Sequence, residues 1–220
     1  MSKAVLLLGA TGLVGSHCLR LLAGDQLFHR VIVPTRRPLP RELASGKVEP
    51  HVVDFDRLAE HASMFRVDQV VCALGTTIRR AGTQEAFRRV DYEYPLAAAR
   101  LGVEQGATHY LLVSSLGANA RSRVFYSRVK GELEDAVLAL PYRSVTIARP
   151  SLLLGPRAEF RLGEVVAKRL AFLAPGNYKP VGAHAVAAAL VRAAKDDAAG
   201  RRIIESREIR ALAGAERPAV

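Results

Sequence analysis

Residues 4–15 read AVLLLGATGLVG and contain the clearest indication of the fold in this chain. The apolar half of this stretch, Ala4 to Leu8, is a short continuous run, which is typical of a parallel strand covered on both faces. Glycines follow at positions 9, 12 and 15, and a helical pattern begins at Ser16 and continues to Ala23. The stretch therefore predicts a strand, a glycine-rich turn and a helix in immediate succession.

The same unit of strand and helix recurs along the chain. Further strands are predicted at residues 31–33, 51–54, 70–74, 110–113 and 144–148, and helices at 83–105, with a break near Pro95, and at 126–140. Strands that alternate with helices pair in parallel through right-handed crossovers. We therefore predict a single α/β domain over residues 1–220, a doubly wound parallel sheet of the Rossmann type in three layers.

The last part of the chain, residues 156–220, is too short to form an independent substrate domain. It contains predicted helices near 163–172 and at 182–194 and a short predicted strand at 202–205. We predict that this part forms a small C-terminal cap on the substrate side of the domain.

Length and composition exclude several classes of protein. Half of the 220 residues are hydrophobic and 24% are charged, and a chain of this size folds without disulfides or metals. The apolar runs are far shorter than the ~20 residues that a membrane span needs, and the N-terminus lacks a secretory cleavage pattern. The two cysteines have no C-x-x-C spacing and the six histidines have no ligand spacing, which predicts buried reduced thiols and no metal site. We therefore expect a cytoplasmic protein without a membrane partner.

The glycine turn predicts a dinucleotide site. A glycine at position 12 lets the backbone approach a pyrophosphate, and a glycine at position 15 lets the helix lie close to the strand. The helix N-terminus then offers unpaired N–H groups and its positive dipole end to the phosphates. A tight turn without a ligand is the alternative interpretation. The predicted phosphate-side residues are Gly9, Thr11, Gly12, Leu13, Val14 and Gly15.

The end of the second predicted strand indicates which dinucleotide binds. NAD sites place a carboxylate about 20 residues after the glycine turn, on the ribose 2′-hydroxyl. This chain has Arg36 and Arg37 at that place, and paired guanidinium groups suit a 2′-phosphate. We therefore predict NADP(H), with a solvated basic turn as the alternative interpretation. Asp54 is placed to accept a hydrogen bond from the adenine amine, and Phe55 to flank the ring.

A second set of residues indicates how the protein would transfer a proton to or from its substrate. Tyr126 and Lys130 are four residues apart and therefore lie on one face of the predicted helix. A phenol is a weak acid at neutral pH, and a nearby ammonium makes it stronger by favouring the phenolate. The hydroxyl of Ser114 or Ser115, at the end of a neighbouring strand, can hold a substrate carbonyl beside the phenol.

Taken together, these motifs resemble the short-chain dehydrogenase/reductase superfamily over nearly the full length of the chain. Within it, the sequence is most similar to the atypical branch that includes the Tat-interacting-protein oxidoreductases. The matching stretches are Gly9 to Gly12, Cys72 to Thr77, Val90-Asp91, Ser114 to Ala118, Tyr126 to Glu132 and Arg149 to Gly155.

The resemblance implies roles for individual residues. Tyr126 is implied to be the general acid or base, Lys130 to bind the nicotinamide ribose and tune the tyrosine, and Ser115 to polarise the substrate, with Ser114 as the alternative. The remaining implied contacts lie along the adenosine side and the nicotinamide pocket of the cofactor: Leu74, Gly75, Thr76 and Pro150. In one departure from the superfamily, Asp91 stands where an Asn is common, which puts a proton relay through that position in doubt.

The positive net charge of the chain indicates which kinds of ligand it attracts. The net charge is +11, but the arginines are scattered and aromatic residues are few, so nucleic acid binding is not favoured. Pairs of arginines follow the predicted strands, where the loops meet at the carboxyl edge of a parallel sheet. We expect this positive rim to attract NADPH and an anionic small-molecule substrate. The rim consists of Arg36, Arg37, Arg79, Arg80, Arg121, Arg123, Arg157 and Arg161.

The sequence favours an NADP(H)-dependent oxidoreductase that transfers hydride to or from a small carbonyl or alcohol. Two alternatives stay open: a redox sensor or scaffold that binds NADP(H) without turnover, and an epimerase or isomerase that oxidises its substrate transiently. The sequence leaves the substrate and the oligomeric state open.

Overall fold

The structure, a computed structural model, describes residues 2–44, 46–154 and 178–215. The strands are β1 (Lys3–Leu8), β2 (Phe28–Thr35), β3 (Val48–Val52), β4 (Gln69–Cys72), β5 (His109–Val113), β6 (Ser144–Arg149), β7 (Leu153–Leu154), β8 (Val181–Gly182) and β9 (Gly200–Glu205). Seven of them form one parallel sheet in the order β3-β2-β1-β4-β5-β6-β9. A second, two-stranded sheet pairs β7 with β8. The predicted doubly wound sheet of the Rossmann type is confirmed.

The strands form because their side chains are apolar on both faces. In β1, Val5 and Leu7 belong to the hydrophobic cluster on one side of the sheet. Leu6 and Leu8 belong to the cluster on the other side. This division follows from the alternation of side chains along a strand, and it requires helices on both faces of the sheet.

Helices cover both faces of the sheet. The α-helices are α1 (Leu13–Gly24), α2 (Ile78–Ala81), α3 (Gln84–Arg88), α4 (Tyr94–Glu104), α5 (Phe125–Leu138), α6 (Ala183–Asp196) and α7 (Ser206–Ala215). Short 3-10 segments occur at Arg41–Leu43 and Phe55–Phe65. In the part of the chain that the structure describes, no helix is both long enough and apolar enough to cross a membrane.

One predicted boundary is wrong and one predicted helix break is confirmed, and proline is involved in both. The third strand was expected at residues 51–54 but spans Val48–Val52, with Pro50 paired to β2. Pro50 is tolerated there because β3 is an edge strand. The helix predicted over 83–105 with a break near Pro95 is divided into α3, a π-helical turn at Arg89–Glu93, and α4, so the break is confirmed. Pro95 lacks the N–H that would continue the regular helical ladder, and the turn lies directly before it.

The described part of the C-terminal segment extends the main sheet. Helix α6 packs against α1. Strand β9 pairs in parallel with β6, a pairing that was not predicted from the sequence. The predicted helix near 163–172 lies outside the described residues, so the predicted cap over residues 156–220 stays a prediction there.

The strand order reverses between β1 and β4, and this reversal determines where the site lies. The connection from β1 leads to β2 on one side, and β4 lies on the other side of β1. Loops that leave the carboxyl ends of two such strands run apart and open a crevice, which is where ligands bind in open α/β sheets.

Candidate functional site

A cleft of about 820 Å³ opens at the carboxyl edge of the sheet. Its described walls come from the residues that follow β1, β4, β5 and β6 and from one face of α5. The residues that line it are Gly12, Leu13, Val14, Ala73, Leu74, Gly75, Thr76, Thr77, Asp91, Val113, Ser114, Ser115, Leu116, Gly117, Tyr126, Lys130, Pro150, Ser151, Leu152, Leu153 and Tyr178.

The glycine turn is tight enough to exclude side chains at two positions. Gly9 has a φ of +80°, and a Cβ there would lie 2.5 Å from the carbonyl oxygen of Ala73. A Cβ on Gly15 would lie 2.0 Å from the carbonyl oxygen of Gly9. Both contacts are too short for any side chain. The two glycines therefore allow α1 to start directly against β1 and β4.

The N-terminus of α1 faces the cleft. Gly12 is its N-cap and has no side chain that could accept hydrogen bonds from the first turn. Gly12, Leu13 and Val14 all line the cleft. The first N–H groups of a helix have no partner within the helix, and the helix dipole favours a negative charge in front of them. This end of the cleft therefore suits a phosphate group.

The residues predicted to contact the adenine ring and the 2′-phosphate lie outside the described lining of the cleft. Arg36 and Arg37 are exposed and follow β2 directly. Asp54 is exposed and accepts a hydrogen bond of 3.0 Å from the N–H of Asp56. Phe55 is only 6% exposed, and its ring lies 5.5 Å from that of Tyr94, within the core. The expected contact of Phe55 with an adenine ring stays a prediction.

One face of α5 presents three polar side chains to the sheet. Tyr126, Lys130 and Glu134 follow each other at intervals of four residues, so they lie on one face of the helix. Tyr126 is half-buried, lines the cleft, and has its ring 5.6 Å from that of Phe87. Lys130 and Glu134 are buried. The sequence predicted the first two of these side chains, but not Glu134.

Lys130 forms an ion pair within the wall of the cleft. Its Nζ lies 2.7 Å from Oδ1 of Asp91, and their side chains are 5% and 0% exposed. Burial disfavours the ammonium, but the charge of Asp91 and the interaction with Tyr126 outweigh it and hold the pKa of Lys130 above its ordinary value. The other oxygen of Asp91 accepts a hydrogen bond of 2.8 Å from the N–H of Thr76. Lys130 therefore stays charged at neutral pH.

The two neighbouring serines differ in their partners. The hydroxyl of Ser114 donates to Oε1 of Glu134. The hydroxyl of Ser115 is buried at the wall of the cleft and has no hydrogen-bond partner among the described residues. A buried hydroxyl without a partner costs free energy unless a ligand or water supplies one. Ser115 is therefore the serine whose hydroxyl is available to a ligand.

A charge network around the buried Glu134 supports this part of the site and was not predicted. Arg149 at the end of β6 donates to both carboxylate oxygens of Glu134, with Nε 3.1 Å from each. Its Nη1 also lies 3.3 Å from Glu205 at the end of β9. The network joins β5, α5, β6 and β9. The only sequence signal for it was the match of the Arg149 to Gly155 stretch.

The loop after β5 is tied to the start of α5. The N–H of Asn119 donates to the carbonyl of Ser127 over 2.9 Å. A Cβ on Gly131 would lie 2.1 Å from the nitrogen of Ala120, so the loop passes directly over the helix. These contacts fix the loop that carries Ser115 relative to Tyr126 and Lys130.

The structure brings most of the predicted site residues together, but not all. The predicted residues among the lining are Gly12, Leu13, Val14, Leu74, Gly75, Thr76, Ser114, Ser115, Tyr126, Lys130 and Pro150. Gly9 and Gly15 shape the turn behind it, and Thr11 is exposed beside it. The rim arginines that are described are exposed and do not appear in that lining. Arg157 and Arg161 lie outside the described residues.

Known proteins are similar to this chain in sequence and in fold. Residues 5–177 match the protein family described as the NAD-dependent epimerase/dehydratase family. The chain is 41% identical over 170 residues to protein HTATIP2 of Rattus norvegicus, covering 76% of this chain and 70% of that protein. It is 33% identical over 217 residues to "Protein FMP52, mitochondrial" of Eremothecium gossypii, covering 94% and 96%. The solved structure of MoeE5 in complex with UDP-glucose and NAD has a TM-score of 0.70 at 18% identity, covering 97% of this chain and 82% of that one, which shows a shared fold.

Proposed function

Because the chain belongs to the NAD-dependent epimerase/dehydratase family, which confirms the resemblance indicated by its motifs, we propose that it is an NADP(H)-dependent oxidoreductase. Its substrate is a small carbonyl compound or alcohol. The observation that carries the proposal is the presence of Ser115, Tyr126 and Lys130 in the same cleft as the uncapped N-terminus of α1.

The residues of the cleft fit a nicotinamide dinucleotide. The turn at Gly9 and Gly15 leaves no room for side chains and brings backbone N–H groups to the cleft, as a pyrophosphate requires. The same cleft holds the buried hydroxyl of Ser115, which lacks a described partner. When bound, the nicotinamide ring supplies or accepts the hydride.

The protein's own side chains orient the substrate and move its proton. The hydroxyl of Ser115 donates to the substrate oxygen and holds it beside Tyr126. In the reductive direction the Tyr126 phenol gives its proton to that oxygen, and in the oxidative direction the Tyr126 phenolate takes the proton from the alcohol. The Lys130 ammonium, kept charged by Asp91, favours the phenolate that remains after the proton has left.

NADP(H) is proposed over NAD(H) because of Arg36 and Arg37. Both are exposed at the end of β2, where NAD-binding chains carry a carboxylate for the ribose 2′-hydroxyl. Two guanidinium groups at that place favour a 2′-phosphate through charge-assisted hydrogen bonds. The family description names NAD, so the choice of coenzyme needs its own measurement.

The decisive experiment follows the oxidation of NADPH with a panel of aldehydes, ketones and quinones, for the wild-type chain and for Tyr126→Phe. We expect turnover by the wild type and a loss of roughly 10²-fold or more in the variant, because the proton donor is gone. If the wild type binds NADPH but never exceeds the rate of the variant, the sensor or scaffold alternative is correct. Product formed without net consumption of the coenzyme would indicate an epimerase or isomerase.

Two further expectations stay predictions. The exposed arginines Arg79, Arg80, Arg121 and Arg123 are proposed to attract an anionic substrate, and neutralising them tests this through the apparent substrate affinity.

A cytoplasmic location is also only a prediction, since the relative from Eremothecium gossypii has the word mitochondrial in its name.

A further inference from the structure

One carboxylate in the wall of the cleft holds two other parts of the site together. Asp91 is fully buried and binds the Lys130 ammonium through Oδ1. Through Oδ2 it accepts a hydrogen bond from the N–H of Thr76, in the segment that follows β4. A Cβ on the adjacent Gly75 would lie 3.4 Å from Oδ1 of Asp91 and 3.8 Å from Nζ of Lys130. The ion pair and the Gly75-Thr76 segment are thus in direct contact.

The backbone around Asp91 has an unusual conformation. Asp91 lies in the π-helical turn Arg89–Glu93, where the N–H of Tyr94 donates to the carbonyl of Arg89, five residues earlier. The next residue, Pro95, has no N–H for the Asp91 carbonyl. The turn packs against α5, which carries Lys130. Single π-helical turns within helices are frequent at functional sites.

We propose that Asp91 is a positioning residue that holds the Lys130 ammonium charged in the wall of the cleft and ties it to the Gly75-Thr76 segment. This inference rests on the proposed function, because it concerns the same cleft. The carboxylate of Asp91 acts through Lys130 and Thr76, and it takes no part in the proton transfer itself. An Asn at this position, as is common in the superfamily, could accept from Thr76 but could not neutralise the lysine.

The titratable groups that face Lys130 come from three elements. They are Asp91 from the π-helical turn, Tyr126 from α5 itself and the buried thiol of Cys72 from β4. Burial opposes the ammonium, and Asp91 is the leading group that favours it. Without that carboxylate, the lysine loses its proton at a lower pH, and a neutral amine binds the hydroxyls of a ribose and favours a phenolate less well.

The test compares three variants by calorimetric titration with NADPH from pH 6.5 to pH 9.5. Asp91→Asn removes the charge but keeps an oxygen for Thr76, and Asp91→Ala removes both. Glu132→Gln is the matched control, since Glu132 also forms an ion pair from α5, with Arg88, but its side chain is 28% exposed. All of these are compared with the wild-type chain.

We expect Asp91→Asn to bind NADPH as tightly as the wild type at pH 6.5. As the pH rises, the affinity of the variant for NADPH should begin to fall at a lower pH than the affinity of the wild type. Asp91→Ala should bind NADPH roughly tenfold more weakly at every pH, because the Thr76 N–H also loses its acceptor. Glu132→Gln should follow the wild-type curve. If the NADPH affinity of Asp91→Asn follows the same pH dependence as that of the wild type, the inference is overturned and the proposed function stays intact. If the wild type does not bind NADPH at all, the proposed function itself is overturned.

Thermal unfolding provides a test that does not depend on the cofactor. Asp91→Asn leaves a buried ammonium without its counter-charge, and the double variant Asp91→Asn/Lys130→Met removes that ammonium as well. We expect the double variant to unfold at a higher temperature than Asp91→Asn, even if the single variant is largely unfolded. A double variant that is no more stable than the single variant would show that Asp91 does not stabilise the charge of Lys130.

Discussion

Ser114 and Ser115 are adjacent in the chain, yet they have different environments. Ser114 is 5% exposed and donates to Glu134, whereas Ser115 is 9% exposed and its hydroxyl has no partner in the described part of the chain. A residue that already donates its only hydroxyl proton to a carboxylate has none to donate to a substrate. At the scale of single residues, the roles of the two serines are therefore separable.

We predict that Ser115→Ala lowers kcat by roughly 10² to 10³-fold, as expected when a donor to a reacting oxygen is removed. Ser114→Ala should keep most of the turnover but lower the free energy of unfolding by about 1–3 kcal/mol, since buried Glu134 loses a donor. Steady-state kinetics and urea unfolding of both variants check this. The opposite assignment of the two effects would contradict it.

The arginines after β2 carry the prediction about coenzyme choice. Replacing both Arg36 and Arg37 with Ala should weaken the binding of NADPH by roughly 10-fold or more and leave the binding of NADH nearly unchanged, because only NADPH carries the 2′-phosphate. Calorimetric titration with both coenzymes measures this. Arg201 and Arg202 on β9 provide a control for the loss of two positive charges, with urea unfolding to measure the loss of the hydrogen bonds that Arg201 makes to main-chain carbonyls. Equal losses for both coenzymes in the Arg36 and Arg37 variant would argue against a 2′-phosphate contact.

Helix α1 shows how an element depends on the backbone of its neighbours. Its first turn can approach β1 only because residue 15 has no Cβ. The last residue of the same helix, Gly24, has nothing within 4 Å of the place where a Cβ would be. The two glycines belong to the same helix and differ in the space around them, so Gly24 provides a control for Gly15.

We predict that Gly15→Ala lowers the free energy of unfolding by about 1–3 kcal/mol or more, since the new methyl group displaces the turn. It should also weaken NADPH binding, because the helix N-terminus moves. Gly24→Ala should be neutral or more stable by up to about 1 kcal/mol. Urea unfolding and coenzyme titration of both variants test this, and a well-tolerated Gly15→Ala would show that the turn can relax at little cost.

At the scale of the whole molecule, the carboxyl and amino ends of the parallel strands carry different groups. The carboxyl edge forms the cleft, and the amino edge is closed by a cluster of charges around Asp197 after α6. This carboxylate lies 3.0 Å from Lys3 and 2.7 Å from Arg143, and its Oδ1 lies 2.9 Å from Nδ1 of His109. The cluster ties the end of α6 to the first residues of β1 and β5 and to the residue before β6, at the edge of the sheet opposite the cleft.

His109 makes the stability of this cluster depend on pH. Burial lowers the pKa of His109 below its ordinary value of 6.5, although Asp197 acts in the opposite direction. The folded chain therefore keeps the ring neutral, with Nδ1–H donating to Asp197 and Nε2 accepting from Thr146, while the unfolded chain takes up a proton below pH 6.5.

We predict that the free energy of unfolding falls as the pH decreases below about 6.5, by at most ~1.4 kcal/mol per pH unit for this one group. The contribution of Asp197, whose pKa is lowered by Lys3 and His109 against the effect of burial, is lost only at more acid pH. Urea unfolding between pH 5 and pH 8 measures the slope. His109→Gln should flatten it and exposed His29→Gln should not, and an unchanged slope in His109→Gln would assign the pH dependence to other groups.

Much of this architecture could be predicted from the sequence because it depends on local patterns. The apolar run of β1 and the glycine turn are readable from neighbouring residues, and parallel pairing follows from the alternation of strands with helices. Tyr126 and Lys130 lie four residues apart on one helix, so their shared face needs no knowledge of the rest of the chain.

The contacts between these groups depend on how the folded chain packs and could not be predicted from local patterns. The ion pair of Asp91 with Lys130, the hydrogen bond of Ser114 to Glu134 and the pairing of β9 with β6 all join segments that are distant in the chain. Such contacts depend on how helices and strands pack, and on the widened helical turn before Pro95, rather than on residue spacing. Local patterns determine which elements form, and packing determines which buried polar groups find a partner and which remain for a ligand.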